Sequence, residues 1–414
     1  MNIKDLHLSY CSNIHAGETW DATFQNLKIY IPEVKKRLAH KGAFGIGLRI
    51  SQEASLVLER SDRLQEFRDW LKKSNSYVYT LNCFPYGGFH RTKVKEQVHA
   101  PDWTTEARLD YTIRSFRILA QLLPEGVEGG ISTSPLTYRH WFATDLEKKE
   151  AFEKATAHLI AVVEELVKLK QETGKFLHLD LEPEPDGLLE NSEELVQYFK
   201  EWLLPVGKVS LAKQLGTTEK AAEKLIKDHL QVCYDVCHFA IGYEKPKEAF
   251  KKLKQAGIGI GKIQLSAALK LLLPESPYER FSIGKRLAEF ADTTYLHQVV
   301  GSTKSGGLNS YPDLPKALTQ LGETQDLEWR VHFHVPIFLE NYGTFQSTQE
   351  DIVEVLKLVL ADPSITKHLE VETYTWEVLP EDTHLTLGEA ISRELAWVRE
   401  QLQYLIPAFH FSSP

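Results

Sequence analysis

Four predicted strands of this sequence end in a carboxylate or an amide side chain. The residues concerned are Glu182 after FLHLDL, Asp235 after LQVCY, Gln264 within GKIQLS, and Glu372 after HLEV. Three carboxylates gathered at one edge of a sheet repel one another strongly unless a cation lies between them. Oxygen ligands of this kind suit Mn²⁺, Mg²⁺ or Co²⁺, and nearby imidazoles would also admit Zn²⁺ or Fe²⁺. The sequence therefore predicts a divalent metal site with these four residues as ligands.

Two of these residues, and the pair that precedes Glu182, also have a purely structural interpretation. His178 and Asp180 share a strand face with Glu182, and we interpret that pair as an internal polar network. Asp235 could instead cap the helix that follows it, and Gln264 could be a hydrogen-bonded spacer. The ligand interpretation is favoured for Glu182 and Asp235, and both interpretations stay open for Gln264.

Two further ionisable residues accompany the predicted ligands. His238 follows Asp235 by three residues, which can bring a carboxylate and an imidazole to one cation or one substrate hydroxyl. Lys262 shares a strand face with Gln264, and a buried lysine needs carboxylates beside it. We therefore expect His238 and Lys262 to act together with the metal ligands.

Polar and aromatic residues follow most of the other predicted strands. Their position on loops favours a pocket for a small polyhydroxylated or sugar-like molecule. Arg139, Lys262 and Lys304 could hold a phosphate or carboxylate of that molecule. The predicted substrate-binding residues are Asn13, His15, Asn82, Tyr86, His90, Arg139 and Trp376.

Short β-rich segments alternate with helical segments along the chain. This order is typical of a parallel sheet, and eight such units close an α/β barrel, the (β/α)₈ or TIM barrel, with reactive groups at the carboxyl ends of its strands. A doubly wound open sheet is the alternative, but the chain lacks GxGxxG after its first strand. The predicted strands are Leu6–Tyr10, Phe44–Ile50, Tyr77–Asn82, Glu128–Thr133, Phe176–Leu181, Leu230–Asp235, Ile258–Leu265 and Leu369–Thr373.

Two stretches exceed the eightfold pattern, and we expect both to be insertions in one barrel domain spanning residues 1–414. A helical insertion is predicted at about 186–229, with helices over 192–204 and 217–229. A β insertion is predicted at about 267–345, where Thr293–Val300 and Trp329–Ile337 would pair antiparallel as a flap over the barrel mouth.

The composition excludes several classes of protein. The 414 residues are 43% hydrophobic and 10% aromatic, which is too apolar for a disordered chain. The net charge of −9 argues against a nucleic-acid partner. The four cysteines form no CxxC pair, so we expect reduced thiols. Without a signal-peptide pattern or an apolar run of transmembrane length, the sequence predicts a cytoplasmic protein with no membrane span.

The series of Glu182, Asp235-x-x-His238, Gln264 and Glu372 on consecutive strands resembles the xylose isomerase-like TIM barrel superfamily. The resemblance implies one divalent metal held by the strand-end carboxylates, commonly with histidine as fourth ligand. This chain departs from that pattern at Gln264, and the fourth ligand would be Gln264 or a later histidine, His297 or His334. The resemblance also implies that His238 contacts the substrate or a second metal.

A longer series of segments resembles the EboE family of the ebo gene cluster, described as metabolite traffic proteins. This resemblance implies a role in making or exporting a secondary-metabolite precursor, with a sugar-phosphate cyclase-like enzyme as pathway partner. The segments that carry it are HLSYCSNIHAGETW, LDLEPEPDG, CYDVCHFA, YLHQVV, HFHVP and VETYTW.

The leading functional prediction is a metal-dependent isomerase or epimerase of a sugar, cyclitol or sugar phosphate. Glu182 and Glu372 would transfer the proton, while His238 and Lys262 would orient or polarise substrate oxygens. One alternative is a metal-dependent phosphoesterase on the same fold, with His297, His332 and His334 as extra ligands. Another is a non-catalytic metabolite-binding protein, which Gln264 leaves open.

Overall fold

The computed structural model describes residues 1–90, 93–377, 379 and 385–410 of the chain. Its strands are β1 Asn2–Ile3, β2 Leu6–Tyr10, β3 Phe44–Arg49, β4 Ser76–Asn82, β5 Gly129–Thr133, β6 Leu177–Leu181, β7 Leu230–Asp235, β8 Ile260–Leu265, β9 Ala267–Leu272, β10 Val299–Thr303, β11 Leu308–Tyr311, β12 Asp326–Val335, β13 Asn341–Tyr342, β14 Phe345–Ser347 and β15 His368–Val371.

The helices alternate with these strands. They are α1 Trp20–Arg37, α2 Gln52–Leu58, α3 Ser61–Lys73, α4 Glu106–Leu122, α5 Asp145–Thr173, α6 Ser192–Tyr198, α7 Leu204–Leu215, α8 Glu219–His229, α9 Val236–Ile241, α10 Pro246–Ala256, α11 Pro277–Leu287, α12 Leu314–Gln320, α13 Gln349–Ala361 and α14 Leu387–His410. Among the described residues, no helix is both long enough and apolar enough to cross a membrane.

Eight parallel strands form a ring in the order β2, β15, β8, β7, β6, β5, β4 and β3, with β1 antiparallel beside β2. The ring closes between β2 and β3 at a bridge from Cys11 to Gly47. There the hydroxyls of Ser9 and Ser12 accept hydrogen bonds from the backbone N–H groups of Gly47 and Arg49, both at 2.8 Å. The predicted α/β barrel is therefore confirmed, and each of its eight strands lies within two residues of the predicted bounds.

Sequence periodicity explains how these elements pack. In β6 the leucines at 177, 179 and 181 alternate with His178 and Asp180, and all five residues are buried. The helix α5 begins with a capping box between Thr144 and Glu147 and ends at Gly174, whose φ of 71° suits glycine. Its buried face includes Leu159, Val162, Val163, Leu166 and Leu169, whose spacing is that of one helix face.

A second sheet lies between β8 and β15 in the chain and has the order β11, β10, β12, β9, β14 and β13, with every pair antiparallel. The strand predicted at Thr293–Val300 is displaced, because β10 begins only at Val299. The carboxylate of Asp292 accepts hydrogen bonds from the backbone of Thr294 and Tyr295, and this local turn replaces extended structure. The register between β12 and β9 shifts between Val331 and His334.

Three helices connect β6 to β7. The helix predicted over 192–204 instead extends through α6, a π-helical turn at Phe199–Leu203 and α7. The next helix, α8, starts at Glu219 after Thr218 accepts a capping hydrogen bond from Ala221 N–H. These helices cover the outside of the barrel, so the residues that face its mouth come from strand ends, from the segments that follow them and from the chain in and just before the second sheet.

Candidate metal centre and pocket

The four predicted ligands come together at the carboxyl ends of four neighbouring strands. Asp235 of β7 lies opposite Gln264 of β8 in register, while Glu182 and Glu372 directly follow β6 and β15. Ligand oxygens of Glu182, Asp235 and Glu372 all lie within 4.8 Å of one another, and all three side chains are buried. The arrangement gives a hard divalent cation a set of oxygen donors.

Gln264 contacts every one of the three carboxylates. Its amide nitrogen lies 3.0 Å from Glu182 Oε1 and 3.1 Å from Asp235 Oδ2, and it also donates to Glu372 Oε2. On its other side, the amide oxygen accepts a hydrogen bond of 2.9 Å from the thiol of Cys233. The amide of Gln264 thus lies among the acids that would hold a cation.

Neighbouring polar groups fix the orientation of these carboxylates. Glu372 Oε1 accepts hydrogen bonds from the amides of Asn13 at 2.7 Å and Asn82 at 2.9 Å. Asp235 Oδ1 accepts from Ser266 Oγ at 2.7 Å and from the backbone of His238 at 3.1 Å. Asp235 therefore caps α9 with one oxygen while its other oxygen faces Gln264, so the two interpretations of this residue are compatible.

Burial and mutual repulsion separate the acidities of the three carboxyl groups. Burial raises the pKa of Glu182 and of Glu372 well above their ordinary range, and the neighbouring carboxylates raise both further. Burial would also raise the pKa of Asp235, but His238, His334 and the hydroxyl of Ser266 lower it overall. Within this set the two glutamates are therefore weaker acids than Asp235.

Three histidines form a second donor set beside the carboxylates. His238 Nδ1 lies 3.0 Å from Pro183 O, His334 Nδ1 lies 2.8 Å from Glu372 O, and His332 Nδ1 lies 2.8 Å from Gln298 Oε1. Because these oxygens only accept hydrogen bonds, each Nδ1 carries a hydrogen, and the neutral form of each ring has its lone pair on Nε2.

The free ring nitrogens of this set face shared space. His332 Nε2 and His334 Nε2 are buried without a hydrogen-bond partner in the described part of the chain. Ligand atoms of Asp235, His238 and His334 lie within 4.8 Å of one another, as do those of Glu184, His238 and His332. A nitrogen-rich donor set therefore adjoins the oxygen-rich one, and Asp235 belongs to both.

A pocket opens above these donors at the barrel mouth. Aromatic rings form much of its wall, and the segment preceding β10 and the strand β12 contribute to it. Its lining comprises Asn13, Asn82, Phe84, Pro85, Phe89, Val94, Lys95, Val98, His99, Glu182, Glu184, His238, Tyr295, Leu296, Gln298, His332, Glu372 and Tyr374.

Of the predicted substrate-binding residues, Asn13 and Asn82 line this pocket and the other five do not. His15 stacks on Tyr30 with a centroid distance of 4.3 Å, and its Nε2 lies 3.0 Å from the hydroxyl of Tyr10. Burial lowers the pKa of His15 to about 3. The ring is therefore a neutral part of the packing between β2 and α1.

The remaining four side chains also lie outside the pocket lining and contact other residues. Tyr86 packs against Tyr111, and Arg139 forms ion pairs with Glu190 at 3.4 Å and Glu194 at 2.6 Å. The ring of His90 contacts Phe89, and Trp376 stacks on Phe338. Lys304, the other residue considered for a phosphate, lies in the exposed turn between β10 and β11.

Lys262 and His297 also lie outside the donor sets. Lys262 is fully buried, and its Nζ lies 3.5 Å from Glu370 Oε1, inside the barrel rather than in the pocket lining. His297 hydrogen-bonds through Nε2 to Asp292 and through Nδ1 to the carbonyl of His332. Both ring nitrogens of His297 therefore have hydrogen-bond partners. The turn at Asp292 keeps His297 outside β10.

Several residues of the pocket were not predicted from the sequence. Glu184 lies 3.0 Å from His99 Nε2, and Lys95 Nζ lies 2.6 Å from Asp313 Oδ2. Glu184 had a usable signal, since the prolines on either side of it keep the chain extended and place it on the same side as Glu182. Lys95 and His99 had none, because they lie in a short 3₁₀ helix well beyond the end of β4.

Comparison with known proteins identifies the fold. A xylose isomerase-like TIM barrel protein from Mycobacterium smegmatis, solved in complex with magnesium, matches over 97% of this chain and 98% of its own, with a TM-score of 0.50 and 10% identity. The fold is that of the xylose isomerase-like TIM barrels. A D-tagatose 3-epimerase-like protein matches over 98% of this chain and 100% of its own, with a TM-score of 0.50 and 11% identity. No protein-family model and no curated protein matches the chain.

Proposed function

We propose that this protein is a divalent-metal-dependent isomerase or epimerase of a sugar, cyclitol or sugar phosphate. The observation that carries the proposal is the pair Glu182 and Glu372, two buried carboxyl groups that line one pocket and have raised pKa values. Carboxyl groups with raised pKa values can both accept and donate a proton near neutral pH. Isomerisation and epimerisation at a carbon beside a carbonyl require this exchange.

The residues present fit a divalent cation. Glu182, Asp235 and Glu372 would hold it, and Gln264 could add a neutral oxygen if its amide turned over. Bound there, a divalent cation would polarise a substrate carbonyl and acidify the adjacent carbon-bound hydrogen. The raised pKa values of the two glutamates fit this assignment, because a cation would compensate the charge that burial and repulsion disfavour.

The chain's own groups then have separate tasks. Glu182 Oε2 is buried and has no hydrogen-bond partner among the described residues, so it is available to take the proton. Glu372 is held by Asn13 and Asn82 through one oxygen, which fixes its position for returning the proton. His238 presents Nε2 to a substrate hydroxyl, because its Nδ1 is bound to the Pro183 carbonyl.

The pocket wall suits a small polyhydroxylated substrate. Phe84, Phe89, Tyr295 and Tyr374 offer apolar ring faces, while Asn13 and the other polar lining residues offer hydrogen bonds. This combination of aromatic walls and a few convergent polar groups is typical of sites that bind sugars and related molecules.

The test is solvent proton exchange at carbon. The protein would be loaded with Mn²⁺ and then transferred to Mg²⁺ buffer for NMR. It would be incubated there in D₂O with ketoses, aldoses, cyclitols and their phosphates. We expect deuterium incorporation by the wild type and a loss of roughly 10²- to 10⁴-fold in Glu372→Gln, the usual size of a general acid–base contribution. Glu153→Gln, an exposed glutamate on α5, is the matched control and should exchange normally. Wild-type exchange in folded Glu372→Gln would refute the assignment.

The histidine donor set favours a second candidate, a metal-dependent phosphoesterase. Phosphate ester hydrolysis commonly uses two cations about 4 Å apart, and Asp235 belongs to both donor sets. Metal analysis distinguishes the candidates: one cation per chain supports isomerisation, while two or more, together with hydrolysis of bis-p-nitrophenyl phosphate, support the esterase. A chain that binds no divalent cation under any loading condition would exclude both enzymes and leave a metabolite-binding protein.

We further place the chain in the EboE family, on the sequence segments quoted above, and in the cytoplasm. On this proposal the substrate is a precursor of a secondary metabolite. The genes next to the one encoding this chain test the placement, because a neighbouring sugar-phosphate cyclase-like enzyme would supply a cyclised polyhydroxylated compound. Neighbours without any enzyme of carbohydrate chemistry would count against it.

A further inference from the structure

The backbone itself positions Gln264 between the acids. Residue 264 lies in register with Asp235 on one side and with Glu370 on the other, so its side chain projects between the strands that carry the ligands. The side chain is fully buried. Its amide nitrogen contacts Glu182, Asp235 and Glu372, and both of its hydrogens are therefore used within the carboxylate set.

The orientation of this amide is determined by its neighbours. The oxygen accepts a hydrogen bond from Cys233 Sγ at 2.9 Å. Exchanging the amide oxygen and nitrogen would place the oxygen against carboxylate oxygens, which only accept hydrogen bonds when ionised. Such contacts are repulsive, so the orientation that donates to the carboxylates is the stable one until a cation arrives.

We propose that Gln264 lowers the affinity of the site by competing with the cation for the three carboxylates, and that it sets the cation preference by offering no nitrogen ligand. The inference rests on the metal dependence proposed above and adds a role that a simple ligand lacks. A cation can bind only after the amide nitrogen gives up its hydrogen bonds to Glu182, Asp235 and Glu372. Gln264 therefore weakens the binding of every divalent cation.

The same residue selects among cations. The donor that Gln264 can offer after turning is a neutral oxygen, which suits Mn²⁺ or Mg²⁺, whereas an imidazole at this place would suit Zn²⁺. Competition from the amide weakens the binding of all divalent cations alike, whereas the absence of a nitrogen ligand at this place acts against Zn²⁺ in particular. The carboxylate site consequently disfavours Zn²⁺ relative to Mn²⁺ compared with the same site carrying histidine at 264.

Calorimetric titration of the full chain, stripped with EDTA, tests the competition. In Gln264→Leu the amide is gone, and we expect Mn²⁺ to bind about tenfold more tightly, because charge-assisted hydrogen bonds no longer have to be broken. The metal-free variant should melt below metal-free wild type, while the two Mn²⁺-saturated proteins should melt closer together. Weaker Mn²⁺ binding by Gln264→Leu, or an equal loss of melting temperature in both forms, would overturn the inference.

Asn82→Ala is the matched control, since Asn82 also donates to Glu372 but from beside the centre. Its loss should weaken Mn²⁺ binding, because an orienting partner is removed. Opposite signs for the two variants support competition by Gln264, and equal signs contradict it.

A second variant tests selectivity even if Gln264→Leu does not fold. In Gln264→His the ratio of Zn²⁺ to Mn²⁺ affinity should rise by about 100-fold, since an imidazole replaces an amide. An unchanged ratio would contradict the inference. If the wild type binds Mn²⁺ and either variant behaves against expectation, only the role of Gln264 is refuted, whereas a wild type that binds no divalent cation refutes the proposed function as well.

Discussion

The barrel interior has two layers, which differ in whether their buried acids have basic partners. In the lower layer each acid has a base: His178 Nδ1 lies 2.6 Å from Asp180 Oδ1, and Lys262 Nζ lies 3.5 Å from Glu370 Oε1. The upper layer, consisting of Glu182, Asp235, Gln264 and Glu372, gathers three acids around a neutral amide. The uncompensated negative charge of the interior therefore lies at the mouth, beside the pocket, where a cation can enter.

The lower layer is built into the backbone. A Cβ atom at Gly130 would lie 2.4 Å from His178 Cε1, and one at Gly261 would lie 1.9 Å from Asp180 Oδ1. Only glycine leaves room for the pair at these two positions. Although burial alone would lower the pKa of His178, the carboxylate of Asp180 raises it, while burial raises the pKa of Asp180 itself. The two side chains therefore form one hydrogen-bonded pair rather than two isolated polar groups.

A buried acid in a third kind of environment lies behind the upper layer. Glu394 of α14 is fully buried, and its Oε1 accepts hydrogen bonds from Thr373 Oγ1 at 2.6 Å and from the backbone of Ile337 at 3.3 Å. Burial raises its pKa to about 7. Glu394 is therefore a buried acid that has neither a base beside it nor a place in the carboxylate set.

Breaking a pair in the lower layer should have the largest effect on stability. Lys262→Met leaves Glu370 as an unpaired buried charge, and we expect the free energy of unfolding to fall by about 3–5 kcal/mol. Urea denaturation with and without Mn²⁺ measures this change. The double variant Lys262→Met/Glu370→Gln should recover most of the loss, and a failure to recover would show that the ion pair is not the cause.

The ionisation of Glu394 should lower the stability of the protein as the pH rises. The folded-state pKa of Glu394, about 7, exceeds that of an unfolded glutamate, so its contribution to stability is present below about pH 4.3 and is lost as the pH rises through 7. Glu394→Gln removes this loss and should stabilise the protein by about 3 kcal/mol at pH 8 relative to wild type.

Denaturation curves from pH 5 to 8 test the role of Glu394. The stability advantage of the variant should shrink steadily toward pH 5. An advantage that does not change with pH would mean that packing, rather than ionisation, separates the two proteins.

In the upper layer, removing an acid should affect the cation rather than the fold. Glu182→Gln deletes one of three mutually repelling carboxylates, so the metal-free protein should lose no stability. Its affinity for Mn²⁺ should fall by at least about 100-fold, since changes to outer-shell partners alone cost 10- to 100-fold. Calorimetric titration and thermal melting of the metal-free protein measure the two quantities, and a large loss of melting temperature would contradict the contrast between the layers.

The smallest effect is expected outside both layers. Arg139 pairs with Glu190 and Glu194 at the protein surface, where ion pairs contribute little. Arg139→Ala should change the free energy of unfolding by less than about 1 kcal/mol and leave solvent proton exchange with substrate unchanged. A marked loss of exchange would show that Arg139 belongs to the substrate site in spite of these ion pairs.

The barrel and the positions of the carboxylates at its strand ends could both be predicted from the sequence, for one physical reason. Side chains alternate strictly along a strand, so the pattern of β6 places Asp180 and Glu182 on the interior face, and the ends of parallel strands converge. Lys262 obeys the same alternation but occurs one layer lower than Gln264, and alternation alone could not distinguish a substrate contact from a partner of Glu370.

The pocket wall was less predictable, because loops have no such periodicity. His15, Tyr86 and Arg139 follow strand ends as expected, yet each side chain turns toward a nearby partner that the sequence does not mark. His297 was misplaced because the turn at Asp292 depends on two local hydrogen bonds. His99 and Lys95 reach the pocket from a segment far from any strand end.

The contact between Asn13 and Glu372 joins residues 359 positions apart in the chain, and β2 pairs with β15. At the usual 5–20 residues per second, a ribosome needs roughly 20–70 seconds to travel from the first residue to the second. Throughout that interval one edge of β2 lacks its final neighbour, and an unpaired strand edge invites aggregation. The nascent chain is therefore most exposed to aggregation before β15 has been made.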